Sequence, residues 1–100
     1  MASQMDVTVC TAELCQRVSI TEQELVEIVS HGIVRPQDVQ ANEWQFDEVL
    51  VVEVARAVRL RRDLEIDWGG VALALELLEE VHGLREENAA LRRRLARLAE

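Results

Sequence analysis

The side chains that could do chemistry in this chain are few and scattered. His31 and His82 stand far apart in sequence, and neither has a partner at metal-ligand spacing. Cys10 and Cys15 are too few for a disulfide framework or a structural zinc site, and their five-residue separation does not bring both thiols to one helix face. Cys15, grouped with Leu14 and Val18, reads as a small core residue. None of Ser3, Ser19 and Ser30 sits in a nucleophile elbow, and Gly69-Gly70 lacks the strand and spacing of a phosphate-cradling loop. That leaves 19 carboxylates. Acid–base catalysis needs a carboxyl whose pKa is raised by burial or by a like charge, and these fall on polar faces where neither applies. No metal, no cofactor and no enzyme activity are expected; the chain reads as a binding module.

With 100 residues, 49% hydrophobic and 30% charged, the chain can build one small packed domain. It holds no run of 18 apolar residues and no basic-then-apolar N-terminal segment, so a cytoplasmic protein with reduced thiols is expected. The formal charge of −8 is unevenly placed. Residues 1–55 hold ten acids against Arg17 and Arg35, whereas residues 56–100 hold nine of each sign and sum to zero. An acidic first half opposes direct contact with a nucleic-acid backbone and suits an electropositive protein partner, although solubility alone would also account for it.

The positioning elements follow from local signals. Alternation over Asp6-Val7-Thr8-Val9 suits a short edge strand, and Thr11 is placed to cap a brief helix. Thr21-Glu22-Gln23-Glu24 is a capping box, with Ile20 and Leu25 as the hydrophobic staple; Leu25, Ile28 and Val29 face inward and Gly32 stops the helix. Two short helices joined by a tight turn make a helix-turn-helix outline. Ile33-Val34-Arg35-Pro36 and Glu43-Trp44-Gln45-Phe46 read as a small hairpin, or wing, with Trp44 and Phe46 on one face; with only three aromatics in the chain, both are expected in the core.

Asp47 caps a third helix to about Leu64, apolar on nearly all sides of its first turns and hence central. Arg56, Arg59, Arg61 and Arg62 lie on its outer face, either as a solvated C-terminal turn or as a phosphate-binding strip that Asp63, Glu65 and Asp67 would oppose. Asp67-Trp68-Gly69-Gly70 breaks the helical run, and from Val71 the chain reads helical to its end.

In that last helix Leu77, Val81, Leu84, Asn88, Leu91, Leu95 and Leu98 recur at alternating spacings of four and three. This narrow heptad seam has no intrachain partner, so a homodimer is expected, with Leu84, Asn88, Leu91, Leu95 and Leu98 in the interface. A parallel pair would set Glu80 and Glu87 against Arg85 and Arg92; in an antiparallel pair several contacts become like-charged. Such exposed pairs are too weak to decide the orientation.

Taken together, these residues resemble the MerR-like winged helix-turn-helix and, more closely, the CbpM family of chaperone modulators. The resemblance rests on Ile20-Thr21-Glu22-Gln23-Glu24-Leu25, Glu27-Ile28-Val29, Trp44-Gln45-Phe46-Asp47, Arg56-Ala57-Val58-Arg59-Leu60-Arg61, Leu64-Glu65-Ile66-Asp67-Trp68 and Glu87-Asn88-Ala89-Ala90-Leu91-Arg92. Ser19 departs from it, standing at a turn where glycine is usual.

The resemblance implies a mostly helical homodimer: a winged helix-turn-helix-like unit over residues 1–66 with a small hairpin wing, and a long C-terminal dimerisation helix over residues 67–100. It also implies binding to the J-domain of a CbpA-like co-chaperone, inhibiting its stimulation of DnaK and its DNA binding, with any nucleoid association arising through that co-chaperone. J-domains present a basic helix, and Glu22, Gln23, Glu24, Glu27 and Glu43 are the expected acidic partner surface. The alternative is a MerR-like DNA-binding transcriptional regulator. Its reading helix would carry cations where this chain has Glu24 and Glu27.

Overall fold

The computed structural model describes residues 7–37 and 43–99. Asp6, where the first strand was expected to begin, and positions 38–42 of the wing lie outside these residues. The elements, in chain order, are β1 (Val9–Cys10), α1 (Thr11–Val18), α2 (Glu22–Ser30), β2 (Gln45–Phe46), α3 (Glu48–Leu64) and α4 (Trp68–Leu98).

β1 pairs antiparallel with β2, Val9 opposite Phe46 and Cys10 opposite Gln45. The strand thus sits further along than the Asp6–Val9 alternation suggests, because its register is set by a partner distant in sequence. It also displaces the expected cap of α1. Extended backbone continues through Cys10 (φ −84°, ψ 173°), so Thr11 is the first helical residue and the cap position carries no side-chain hydrogen bond. The expected pairing of Ile33–Pro36 with Glu43–Phe46 does not form: Ile33–Pro36 is not a strand, and β2 is taken up by β1. Among the described residues the wing is joined only by the bridge of Gln37 with Gln45, where the Gln37 N–H donates to the Gln45 carbonyl at 2.9 Å.

α2 has the reciprocal cap expected of it. The Thr21 hydroxyl accepts from the Glu24 N–H at 3.1 Å, and the Glu24 carboxylate accepts from the Thr21 N–H at 2.9 Å. It ends in a Schellman motif: Gly32, at φ 75°, donates to the Val29 carbonyl, and Ile33 to that of Ile28. Asp47 caps α3 and Asp67 caps α4, each accepting a backbone N–H three residues on at 2.8 Å.

Two helix ends are reached without glycine. Ser19 (φ 65°) closes α1 and Glu65 (φ 54°) closes α3, both left-handed. The Ser19 turn is held by the Ile20 N–H on the Cys15 carbonyl at 3.0 Å and by Arg62 donating to the Ser19 carbonyl at 3.2 Å. A left-handed serine costs about 1–2 kcal/mol that glycine avoids, partly offset by glycine's freer unfolded chain. Ser19→Gly should therefore raise the urea midpoint, by about 0.5–1 kcal/mol of stability, with an unchanged denaturant slope; a lowered midpoint would show that the serine is not strained.

The core is one cluster, in which Leu14, Leu25, Ile28, Phe46, Val54 and Val71 are fully buried. Cys15 belongs to it. Burial first, then the charges of Glu22 and Glu24, push its thiol up, which favours the protonated form of a small core residue. α3 is less enclosed than its composition suggests. Val51, Val54, Ala57 and Val58 face the core, whereas Val49 and Val52 are exposed because, among the described residues, no element covers the opposite side.

Arg17 on α1 pairs with Glu48 on α3 at 3.1 and 3.2 Å. Hydrogen bonding to the guanidinium holds the Glu48 carboxyl below its ordinary range. The small contribution of this solvated pair is present above the ordinary carboxyl range and is lost as pH falls from that range through the lowered pKa of the folded state.

Gly69 and Gly70 do not interrupt the last helix; they form its first turn. The break lies at Glu65, and a Cβ on Gly70 would stand 3.2 Å from that of Ile66, so the missing side chain lets Ile66 pack against the turn. Arg61 lies over the Trp68 ring at 4.9 Å, fastening α3 to the root of α4. Only Trp68 and Val71 of α4 are buried. The helix then projects beyond the body, and the radius of gyration is 18.0 Å where a compact chain of this length would give about 13 Å.

Candidate partner-binding surface

Packing of Leu25 and Ile28 into the core decides what α2 shows to solvent. Glu22, Gln23, Val26 and Ser30 are exposed, and Glu24 and Glu27 are half-buried beside them. The expected outward face thus turns slightly and gains Val26, 46% exposed, which the carboxylate pattern did not single out. Its position off the Leu25–Ile28–Val29 stripe was the available signal.

The five expected acidic-surface residues are not equivalent. Glu22, Gln23 and Glu27 lie on α2 with no other assigned task for their side chains, whereas Glu24 Oε1 is held by the Thr21 N–H and hydroxyl at 2.9 and 3.4 Å. Glu43 is exposed on the segment leading into β2, off α2 altogether. α2 carries no arginine or lysine. His31 closes it, its Nδ1 in hydrogen-bond contact with the Glu27 carbonyl at 2.9 Å.

The arginines of α3 divide. Arg61 is committed to Trp68 and Arg62 to the Ser19 carbonyl, leaving Arg56 and Arg59 exposed. Trp44 packs edge-on against the buried Phe46 with ring centroids 6.4 Å apart, so the wing aromatics serve the core.

Along α4 the seam residues Leu77, Val81, Leu84, Asn88, Leu91, Leu95 and Leu98 are all exposed, and Leu84, Asn88 and Leu91 line a shallow apolar groove. This is the longest uncovered apolar stripe among the described residues. Among those residues no three His, Cys, Asp or Glu side chains are grouped to hold a metal ion, and no helix is long and apolar enough to cross a membrane.

Comparison with known proteins agrees with this scaffold. Residues 9–93 match the model of the MerR HTH family regulatory proteins. The chaperone modulatory protein CbpM of Pseudomonas entomophila (strain L48) is 46% identical over 100 residues, spanning 100% of this chain and 99% of the relative. That of Pseudomonas putida (strain W619) has the same identity and coverage. CbpM of Escherichia coli (strain K12 / DH10B) is 45% identical over 91 residues, 91% of this chain and 90% of the relative. The chain therefore belongs to the MerR-type helix-turn-helix family and, within it, to the chaperone modulatory proteins CbpM.

Proposed function

We propose that this protein modulates a chaperone system by binding the J-domain of a CbpA-like co-chaperone, blocking its stimulation of the DnaK ATPase and restraining its DNA binding. The observation that carries the reading is the chemistry of α2. The helix that reads DNA in a MerR-type regulator here presents Glu22, Gln23, Val26 and Glu27 and no cation, a face that repels a polyanion and complements a basic helix. The names of the relatives support the same role. In this reading residues 1–66 are the partner-reading unit, with Glu43 extending its acidic surface along the wing, and residues 67–100 join two copies through Leu84, Asn88, Leu91, Leu95 and Leu98. Family membership favours a DNA-binding regulator as the competitor, but affinity for DNA comes from cations that displace condensed counterions, and α2 has none.

The test is charge reversal on α2. Glu22→Arg combined with Glu27→Arg is expected to weaken J-domain binding about 3- to 30-fold, mainly at low salt, for two solvated contacts of roughly 0.3–1 kcal/mol each. Glu24 stays unchanged so that the capping box survives. Unaltered affinity in a folded double variant would move the docking surface off α2.

A further inference from the structure

Where α4 leaves the body, an open groove runs between it and α3. Ile33, Leu75 and Leu78 form its floor, Glu53 and Glu79 stand on its walls beside Arg56, and His82 marks its far end. A neighbouring depression shares Ile33, Leu75 and Glu79 and continues to His31, the residue that closes α2. The groove is thus continuous with the C-terminal end of the acidic helix.

Helix geometry explains why this floor is uncovered. Trp68, Val71, Leu75, Leu78 and His82 recur every three or four residues and share the body-facing stripe of α4. Burial along that stripe decays outward: Trp68 is 4% exposed and Val71 is fully buried, but Leu75 is half-buried and Leu78 is 43% exposed. The heptad seam lies roughly 140° around the same helix, at about 100° per residue. A second copy paired on the seam would therefore leave the groove open to a different occupant.

We propose that this groove anchors the docked partner by taking the apolar side of a basic amphipathic helix, whose cations meet Glu53, Glu79 and the carboxylates of α2. The proposal rests on the J-domain reading for which protein brings the helix. The chemistry of the helix follows from the groove itself: an aliphatic floor takes aliphatic side chains, and Glu53 and Glu79, which outnumber Arg56 on the walls, take arginine or lysine. Solvated carboxylates mainly set encounter rate and partner choice, whereas a desolvated apolar anchor sets residence time.

The full-length protein is titrated with the isolated J-domain at two salt concentrations, with sedimentation run on every variant. Leu78→Asn, at a position already 43% exposed on the single chain, is expected to weaken binding tenfold or more at both salts, chiefly through faster dissociation, while the dimer persists. Glu53→Arg with Glu79→Arg is expected to weaken it mainly at low salt. If the unmodified protein binds and both variants bind equally tightly, the groove is overturned and the J-domain reading stands. If the unmodified protein does not bind, both are overturned. If Leu78→Asn loses the dimer instead of J-domain affinity, the groove belongs to a second copy and the proposal is overturned.

Discussion

Leu91→Glu is expected to sediment as a monomer at concentrations where the unmodified protein sediments as a dimer. Leu91 sits at a d-type position of the heptad and is 49% exposed on the single chain, so pairing of two copies along the proposed seam would bury it. Symmetry removes the side chain twice. At about 1.5–3 kcal/mol per leucine, the loss is roughly 3–6 kcal/mol per dimer, or two to four decades in dissociation constant. An unpaired carboxylate at the seam adds to it. Because the position touches no part of the body's core cluster, the variant should keep its helical circular dichroism. A dimer that survives this substitution would refute the seam.

Phe46→Ala should destabilise the fold by about 3–5 kcal/mol. Phe46 is the chain's single phenylalanine and is fully buried. It joins three parts of the molecule: it pairs with Val9 across the sheet, meets the edge of Trp44 and packs into the cluster that includes Leu14 and Val54. Domains of this size have about 5–15 kcal/mol in total, so the variant is expected to unfold at roughly half the urea concentration or below. Trp44→Ala, at a half-buried site, should cost clearly less. Equal effects would show that the wing, and not the core, holds the aromatic pair.

What could be read from the chain alone was local. Thr21 with Glu24, Asp47 and Asp67 announce three helix starts because a capping side chain acts within three residues, and the structure places all three caps. The heptad of α4 is likewise a property of one segment. What escaped depends on distant partners or on geometry without a residue signature. β2 pairs with β1 across most of the first half of the chain, so neither the strand's register nor the shifted start of α1 has a local signal. Ser19 and Glu65 end helices in a left-handed conformation that glycine would have advertised. α3 is apolar on several sides, and composition alone could not say that Val49 and Val52 would face solvent.

The candidate surface was half legible in the same sense. Charge counting finds the acidic first half of the chain and directs attention to Glu22, Gln23, Glu24, Glu27 and Glu43. It cannot tell a carboxylate with no assigned contact from one engaged in a cap, and the hydrogen bonds of Glu24 make that distinction. The α3–α4 groove has no sequence signal, because it arises where two helices diverge and where burial along one stripe runs out.

The central claim is that an acidic helix-turn-helix scaffold has become a receptor for a basic helix of a J-domain. It is tested most directly by titrating the purified protein with the isolated J-domain of its own organism's CbpA-like co-chaperone, by calorimetry at two salt concentrations. Saturable binding that weakens as salt rises is the predicted result, since screening acts on the solvated carboxylates that steer the encounter. No heat at either salt, with no co-sedimentation of the two proteins, would contradict the claim.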